Sequence, residues 1–128
     1  MKHYHLDPSK SWRDGYFETE LRRLDPQPGE CFALFHKKDN LKSLVRIKGK
    51  EPGYVGCFYS ADWIEIVPRG FQRSDAGFNC IDLQYSSDIL QIDPRRFDIL
   101  AKQIAMLNVQ LNAYKQDLEK QLEAAAPT

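Results

Sequence analysis

The fold of this chain is decided by residues 93–118, which read DPRRFDILAKQIAMLNVQLNAYKQDL. Asp93 suits the N-cap of a helix and Pro94 its first position, where a missing N–H costs nothing. No Gly or Pro then occurs before Pro127. The sequence therefore predicts a long amphipathic C-terminal helix over residues 93–124.

Apolar side chains of this helix form two stripes. The first has the 3,4 spacing of a heptad repeat and comprises Phe97, Leu100, Ile104, Leu107, Leu111, Tyr114 and Leu118. The second comprises Ile99, Met106, Val109 and Ala113. One side of the helix can cover the chain's own sheet, whereas the other requires a further partner.

We predict that the heptad stripe forms an oligomer interface. The simplest partner is the same helix of a second copy, because two-fold homodimers are the commonest oligomers. Two alternatives stay open: the helix could be enclosed within a monomer by the N-terminal segment, or it could bind a different protein.

Upstream of the helix, short apolar runs alternate with polar residues and turn signals. Strands are predicted at residues 31–37, 43–48, 54–59, 63–67, 78–85 and 89–92, with a loop at 74–77. Residues 31–92 would thus form a β-rich body, either an antiparallel β-meander or a small, partly open barrel. With the terminal helix, the predicted fold class is α+β.

Residues 1–30 form an N-terminal segment. Phe17, Leu21 and Leu24 share one face of a short helix over residues 14–24, although the alternation of Phe17, Thr19 and Leu21 would also suit a strand. No Pro-, Gly- or Ser-rich linker divides the chain. We therefore expect one domain over residues 1–128.

Charge is unevenly distributed in a chain whose formal net charge is zero. Residues 37–50 carry six basic side chains and one acidic side chain. A basic hairpin at residues 36–50 is a candidate surface for an anion or nucleic acid, although nucleic acid is not the favoured partner. Its members would be Lys38, Lys42, Arg46, Lys48 and Lys50. The alternative is an edge hairpin that its lysines keep from aggregating.

Motifs for catalysis, phosphate binding or redox chemistry are absent, since the sequence has no G-x-S-x-G, H-E-x-x-H, Gly-rich phosphate loop or C-x-x-C. His3 and His5 would share a strand face, as metal ligands could, but no further ligand is evident. Carboxylates such as Asp62 and Asp88 are expected at solvated loop or edge positions. We predict no catalytic residues, no metal and no cofactor.

The compartment is inferred from cysteines and from apolar runs. The three cysteines are interpreted as small buried side chains in a reducing compartment, because their spacing matches no metal or redox motif. The chain starts without an apolar leader, and its apolar runs are too short to span a bilayer. We expect a cytoplasmic protein with no membrane partner.

The features together favour a non-enzymatic protein–protein interaction module, such as an adaptor, inhibitor or accessory protein, that is homodimeric through its C-terminal helix. The alternative is a small nucleic-acid-binding protein that uses the basic hairpin at 36–50. A third hypothesis is an enzyme or ligand-binding barrel whose pocket residues the sequence does not single out.

Overall fold

A computed structural model describes residues 3–37, 40–53, 56–68 and 70–125. Six strands and two helices follow one another in the α+β arrangement that the sequence predicts. The strands are β1 (His3–His5), β2 (Cys31–Lys37), β3 (Asn40–Gly53), β4 (Gly56–Val67), β5 (Gly70–Asn79) and β6 (Asp88–Ile92), and the helices are α1 (Tyr16–Leu24) and α2 (Pro94–Ala125). Short 3-10 helices cover Trp12–Asp14 and Cys80–Tyr85.

All strand pairs are antiparallel, and the sheet order is β1-β6-β2-β3-β4-β5. Strands β2 to β5 form the predicted meander. Strand β6 returns to the far side of β2, and β1 adds outside it. The sheet is open within the described residues, because its outer strands β1 and β5 pair with different neighbours and not with each other.

Strand alternation gives the sheet two apolar faces. Phe32 and Leu34 of β2 belong to one buried cluster, together with Leu21 and Leu24 of α1. Side chains of the opposite parity, such as Cys31 of β2, belong to a second cluster with α2. The sheet is therefore the middle layer between α1 and α2. We call its two sides the α1 face and the α2 face.

The N-terminal segment settles two open questions. Residues 16–24 are helical, as favoured over a strand, and bury Leu21 and Leu24. Because this helix lies on the face opposite α2, it does not cover the second stripe of α2. The alternative of a helix enclosed within a monomer by the N-terminal segment is therefore wrong for the described residues.

Several predicted strand limits are wrong. Strands were expected at residues 54–59 and 63–67, of which residues 54 and 55 lie outside the described residues, but β4 runs without a break from Gly56 to Val67. Ala61, between the two expected strands, is buried and pairs with both β3 and β5. The loop expected at 74–77 lies inside β5, and most of the strand expected at 78–85 is a 3-10 helix. Polar residues are tolerated in β5 because an edge strand leaves many side chains in water.

Helix α2 begins as predicted. The Asp93 carboxylate accepts a 2.8 Å hydrogen bond from the backbone N–H of Arg95, and that bond lowers the pKa of Asp93. The helix comprises 32 residues from Pro94 to Ala125. Neither it nor any other helix in the described residues combines the length and hydrophobicity that crossing a bilayer would require.

Candidate functional site

The first four turns of α2 lie on the chain's own sheet. Phe97 is fully buried, and the partly buried Leu100 and Ile104 pack against the same cluster. The Arg46 guanidinium of β3 lies 4.5 Å from the centroid of the Phe97 ring and forms an ion pair with Asp98. Three of the seven residues predicted for the oligomer interface thus have intramolecular contacts.

Asn108 marks the place where α2 crosses β5. Its side-chain oxygen accepts a 3.2 Å hydrogen bond from the backbone N–H of Phe71, and its side-chain N–H donates to the Phe71 carbonyl at 3.0 Å. Gly70 lies beside Asn108 and Leu111. The helix therefore runs across the sheet from β6 towards the β5 edge and leaves it there.

Beyond this point α2 extends past the sheet, although Leu111 still lies beside Gly70 of β5. Residues 111–124 are all exposed, so we call residues 109–125 the projecting half and residues 94–108 the docked half. At 1.5 Å per residue the projecting half is about 25 Å long. Leu107, Leu111, Tyr114 and Leu118, which complete the predicted interface, are exposed, as is Leu122 at 71%.

The second stripe points away from the sheet. Ile99, Met106 and Val109 are exposed on the side of α2 opposite the docked residues. The side of α2 that was expected to require a further partner is therefore exposed in the single chain. In the single chain, α2 is covered from the sheet side only.

The basic residues predicted as an anion surface are mostly paired with acids of the same chain. Lys48 contacts Asp75 at 3.0 Å, Arg46 pairs with Asp98 and Lys50 pairs with Asp25. Lys42 is half-buried, and Lys38 lies outside the described residues. These acids come from α2, β5 and the loop after α1. Counting charges along the hairpin sequence therefore could not predict these ion pairs.

An open groove of about 380 Å³ lies on the α2 face, where α2 leaves the strands uncovered. Arg73 donates to both carboxylate oxygens of Asp62, at 3.0 and 2.7 Å, and these bonds hold the pKa of Asp62 below its usual range despite partial burial. Asp75 and Lys48 line the same groove. Its acids and bases neutralise one another, which does not favour an anion site.

A buried acid joins the two N-terminal histidines. Asp88 Oδ1 lies 3.0 Å from His3 Nε2 and 3.0 Å from His5 Nδ1, and Asp88 is only 6% exposed. Burial opposes ionisation, but hydrogen bonds from His5 and His3 outweigh it, so the pKa of Asp88 lies below its ordinary value. The expectation that Asp88 is a solvated edge residue is wrong, because β6 lies between β1 and β2.

Sequence reasoning missed this contact because β1 and β6 are more than 80 residues apart, and only their register brings His5 opposite Asp88. Within the described residues, no group of three or more His, Cys, Asp or Glu side chains is arranged to hold a metal ion. Beside Asp88 lies a cavity of about 530 Å³ that Leu6, Phe17 and Tyr85 line. This cavity is where the hypothesis of a small-ligand site would have to be tested.

Cys31 does not have the environment of an activated nucleophile. Cys31 is buried, and burial raises the pKa of its thiol, which opposes formation of the reactive thiolate.

No protein-family model matches the chain, and searches of curated proteins and of solved structures give no match either.

Proposed function

We propose that this protein is a non-enzymatic protein–protein interaction module that forms a homodimer through the projecting half of α2. The observation that carries the proposal is an apolar line on a helix that has left its own sheet. Its members are Leu111, Tyr114, Leu118 and Leu122, and all are exposed.

The line continues the side of α2 that faces the sheet. Leu111 and Leu118 follow Ile104 by seven and fourteen residues, which is two and four helical turns, so all three share one face. Ile104 packs on the sheet, whereas Leu118 is exposed. A contiguous exposed apolar surface of this kind is typical of an interaction site.

Burial of the apolar line by a partner is expected to lower the free energy of the projecting half. Isolated helices of this length are marginally stable in water, and most helices in proteins are stabilised by packing of an apolar face. Burial of apolar surface contributes a favourable free energy of about 25 cal/mol per Å². A partner that covers the projecting half would therefore also stabilise it as a helix.

The partner that we propose is a second copy of the same chain. The projecting half carries two basic and three acidic residues, Lys115, Asp117, Glu119, Lys120 and Glu123, so two copies do not present a uniform like charge to each other. An isologous contact also places each apolar line against an identical one. We further propose a cytoplasmic location, where free thiols such as Cys31 stay reduced.

The test is the solution mass by light scattering over a range of protein concentrations. We expect a dimer for the parent and a folded monomer for the variant Leu118→Asp/Leu122→Asp, because two buried charges would oppose association. Neither residue contributes to the two core clusters, so circular dichroism should show an intact fold.

The matched control is Met106→Asp/Val109→Asp, which adds the same charges to the second stripe. We expect this control to remain dimeric. A monomeric parent would overturn the proposal, and a control that becomes monomeric while Leu118→Asp/Leu122→Asp stays dimeric would move the interface to the opposite side of α2.

A further inference from the structure

The two largest concave surfaces described above differ in how their cations are paired. In the groove on the α2 face, each cation contacts a carboxylate of the same chain. The second surface is the cavity of about 530 Å³ that Leu6, Phe17 and Tyr85 line, which we call the α1-face cavity. Lys10 and Lys37 also line it, and within the described part of the chain no carboxylate lies at ion-pair distance from either.

We propose that the α1-face cavity binds a small aromatic carboxylate. The aromatic body of the ligand would lie against Leu6, Phe17 and Tyr85, and its negative charge would be neutralised by Lys10 and Lys37. Leu6 and Phe17 belong to the cluster on the α1 face, whereas the proposed dimer uses α2. The inference therefore adds a second site and does not rest on the homodimer.

The size and the walls of the cavity suit such a ligand. Small-molecule sites usually have volumes of about 300–1,000 Å³, with mainly apolar walls and a few polar groups. The α1-face cavity lies in this range, and its walls are mainly apolar. Tyr85 is 64% exposed, so its ring is available to an aromatic ligand. Contact between the two would remove apolar surface of both from water.

The charge of the lining favours a monoanion. Lys10 and Lys37 contribute two positive charges and Asp88 one negative charge, so the formal balance is +1 with the histidines counted as neutral. A carboxylate would bring this balance to zero. A phosphate monoester carries a charge of about −1.5 to −2 near neutral pH and would leave an excess of negative charge. The lining thus matches a carboxylate better than a phosphate.

The buried acid of the cavity wall is already occupied by donors of its own chain. Asp88 Oδ1 lies 3.0 Å from His3 Nε2 and 3.0 Å from His5 Nδ1, and the Asp88 side chain is only 9% exposed. Because these hydrogen bonds offset its charge, Asp88 repels a bound carboxylate less than an unpaired acid would. The lysines are exposed and can approach the ligand.

Hydrogen bonds between the segments around the cavity hold its walls in place. The backbone N–H of Leu6 donates to the Ser87 carbonyl at 2.6 Å, and the N–H of Ser87 donates to the Phe35 carbonyl at 2.8 Å. The Tyr16 hydroxyl donates to the His5 carbonyl at 3.3 Å, which ties α1 to the end of β1. A site that is formed before binding loses less conformational entropy when a ligand enters.

Titration of the ¹⁵N-labelled protein with naphthalene-2-carboxylate tests the site. We expect saturable binding with a Kd of about 1 mM or lower, and the largest changes in amide chemical shift at Lys37, Tyr85 and Ser87. Absence of saturable changes at these residues would overturn the proposal. Changes confined to Leu118 and its neighbours would also overturn it, since they would place the probe on the projecting half.

Naphthalene-2-carboxamide is the matched control ligand. It has the same rings and nearly the same shape but no charge. We expect it to bind about tenfold more weakly than the carboxylate, because it makes no ion pair with the lysines. Equal affinity of the two ligands would contradict the assignment of an anion to this cavity.

The double variant Lys10→Ala/Lys37→Ala tests the position of the charge. It should weaken binding of the carboxylate about tenfold and leave binding of the carboxamide unchanged. The matched control is Arg96→Ala/Lys102→Ala, which removes the same formal charge from exposed positions on α2 and should bind both ligands as the parent does. Equal weakening by both double variants would mean that net charge, and not the cavity, attracts the carboxylate.

Tyr85→Ala tests the apolar contact. It should weaken binding of both ligands about fivefold, because it removes an aromatic wall, while circular dichroism should show an intact fold. No change for either ligand would show that the rings do not lie against Tyr85. Leu118→Asp/Leu122→Asp should bind the carboxylate as the parent does, whether or not the protein is a dimer. Loss of binding in this variant would place the site on α2 and overturn the inference without affecting the proposed homodimer.

Discussion

The two halves of α2 continue one heptad pattern in two different environments. In the docked half, Phe97 is 0% exposed and contacts the sheet and Arg46. In the projecting half, Leu122 is 71% exposed and lies beyond the sheet. The spacing of apolar residues does not change between them.

Periodicity thus identifies the face of a helix that is buried but not what buries it. The change of environment occurs at Asn108, a polar residue that hydrogen-bonds to the backbone of Phe71. After Asn108 α2 leaves the sheet, and the apolar residues that continue the same face are exposed. We therefore predict that substitutions in the docked half change the stability of the monomer, whereas substitutions in the projecting half change its association.

The largest effect is expected in the docked half. Phe97→Ala should lower the free energy of unfolding by about 3–5 kcal/mol, because it leaves a cavity between α2 and the sheet. The change also removes the ring that Arg46 covers. Urea unfolding followed by circular dichroism measures the loss.

Leu122→Ala is the control for that comparison, since Leu122 is in the projecting half. At a protein concentration low enough to keep the chain monomeric, we expect a change within about 0.5 kcal/mol, as for surface substitutions. A loss as large as that of Phe97→Ala would show that the projecting half packs on its own chain, and the division of α2 would be wrong.

A smaller effect is expected at the boundary. Asn108→Ala leaves the N–H and carbonyl of Phe71 without their side-chain partner, which should lower the free energy of unfolding by about 1–3 kcal/mol. Asn112→Ala, one turn further along the helix and exposed, should have almost none. Equal losses for the two variants would place the end of the docked half elsewhere.

The parts of the fold that local signals determine could be predicted. Asp93 and Pro94 define where α2 begins, because an N-cap and a proline act within one helical turn. The strand at Cys31–Lys37 was found because it begins with a continuous apolar run, and its first four residues are buried. The separation of the heptad stripe into docked and exposed residues could not be predicted, because it depends on where β5 ends.

Features that depend on pairing across the chain were missed or misplaced. Strand β5 has a polar centre around Ser74 and reads as a loop, but its ten residues pair with β4. The carboxylates that neutralise the basic hairpin also lie far from it in sequence, as with Lys50 and Asp25. Local patterns carry no information about such contacts, which only the sheet register and the packing of α2 create.

The smallest expected effect is a pH dependence of the free energy of unfolding. It should be seen for a carboxylate of the sheet but not for one of the projecting half. Because the pKa of Asp88 is lowered in the folded state, its ionised form contributes stability above its ordinary value of 3.8, and this contribution is lost as the pH falls through the lowered pKa. His3 and His5, its partners, are more than half exposed, so water weakens both interactions.

We expect Asp88→Asn to be less stable than the parent at pH 7 and the difference to shrink towards pH 3, in urea unfolding at one protein concentration. Asp117→Asn, in the projecting half, should show no such trend. A constant difference between parent and Asp88→Asn across this range would mean that the charge of Asp88 does not stabilise the contact between β1 and β6.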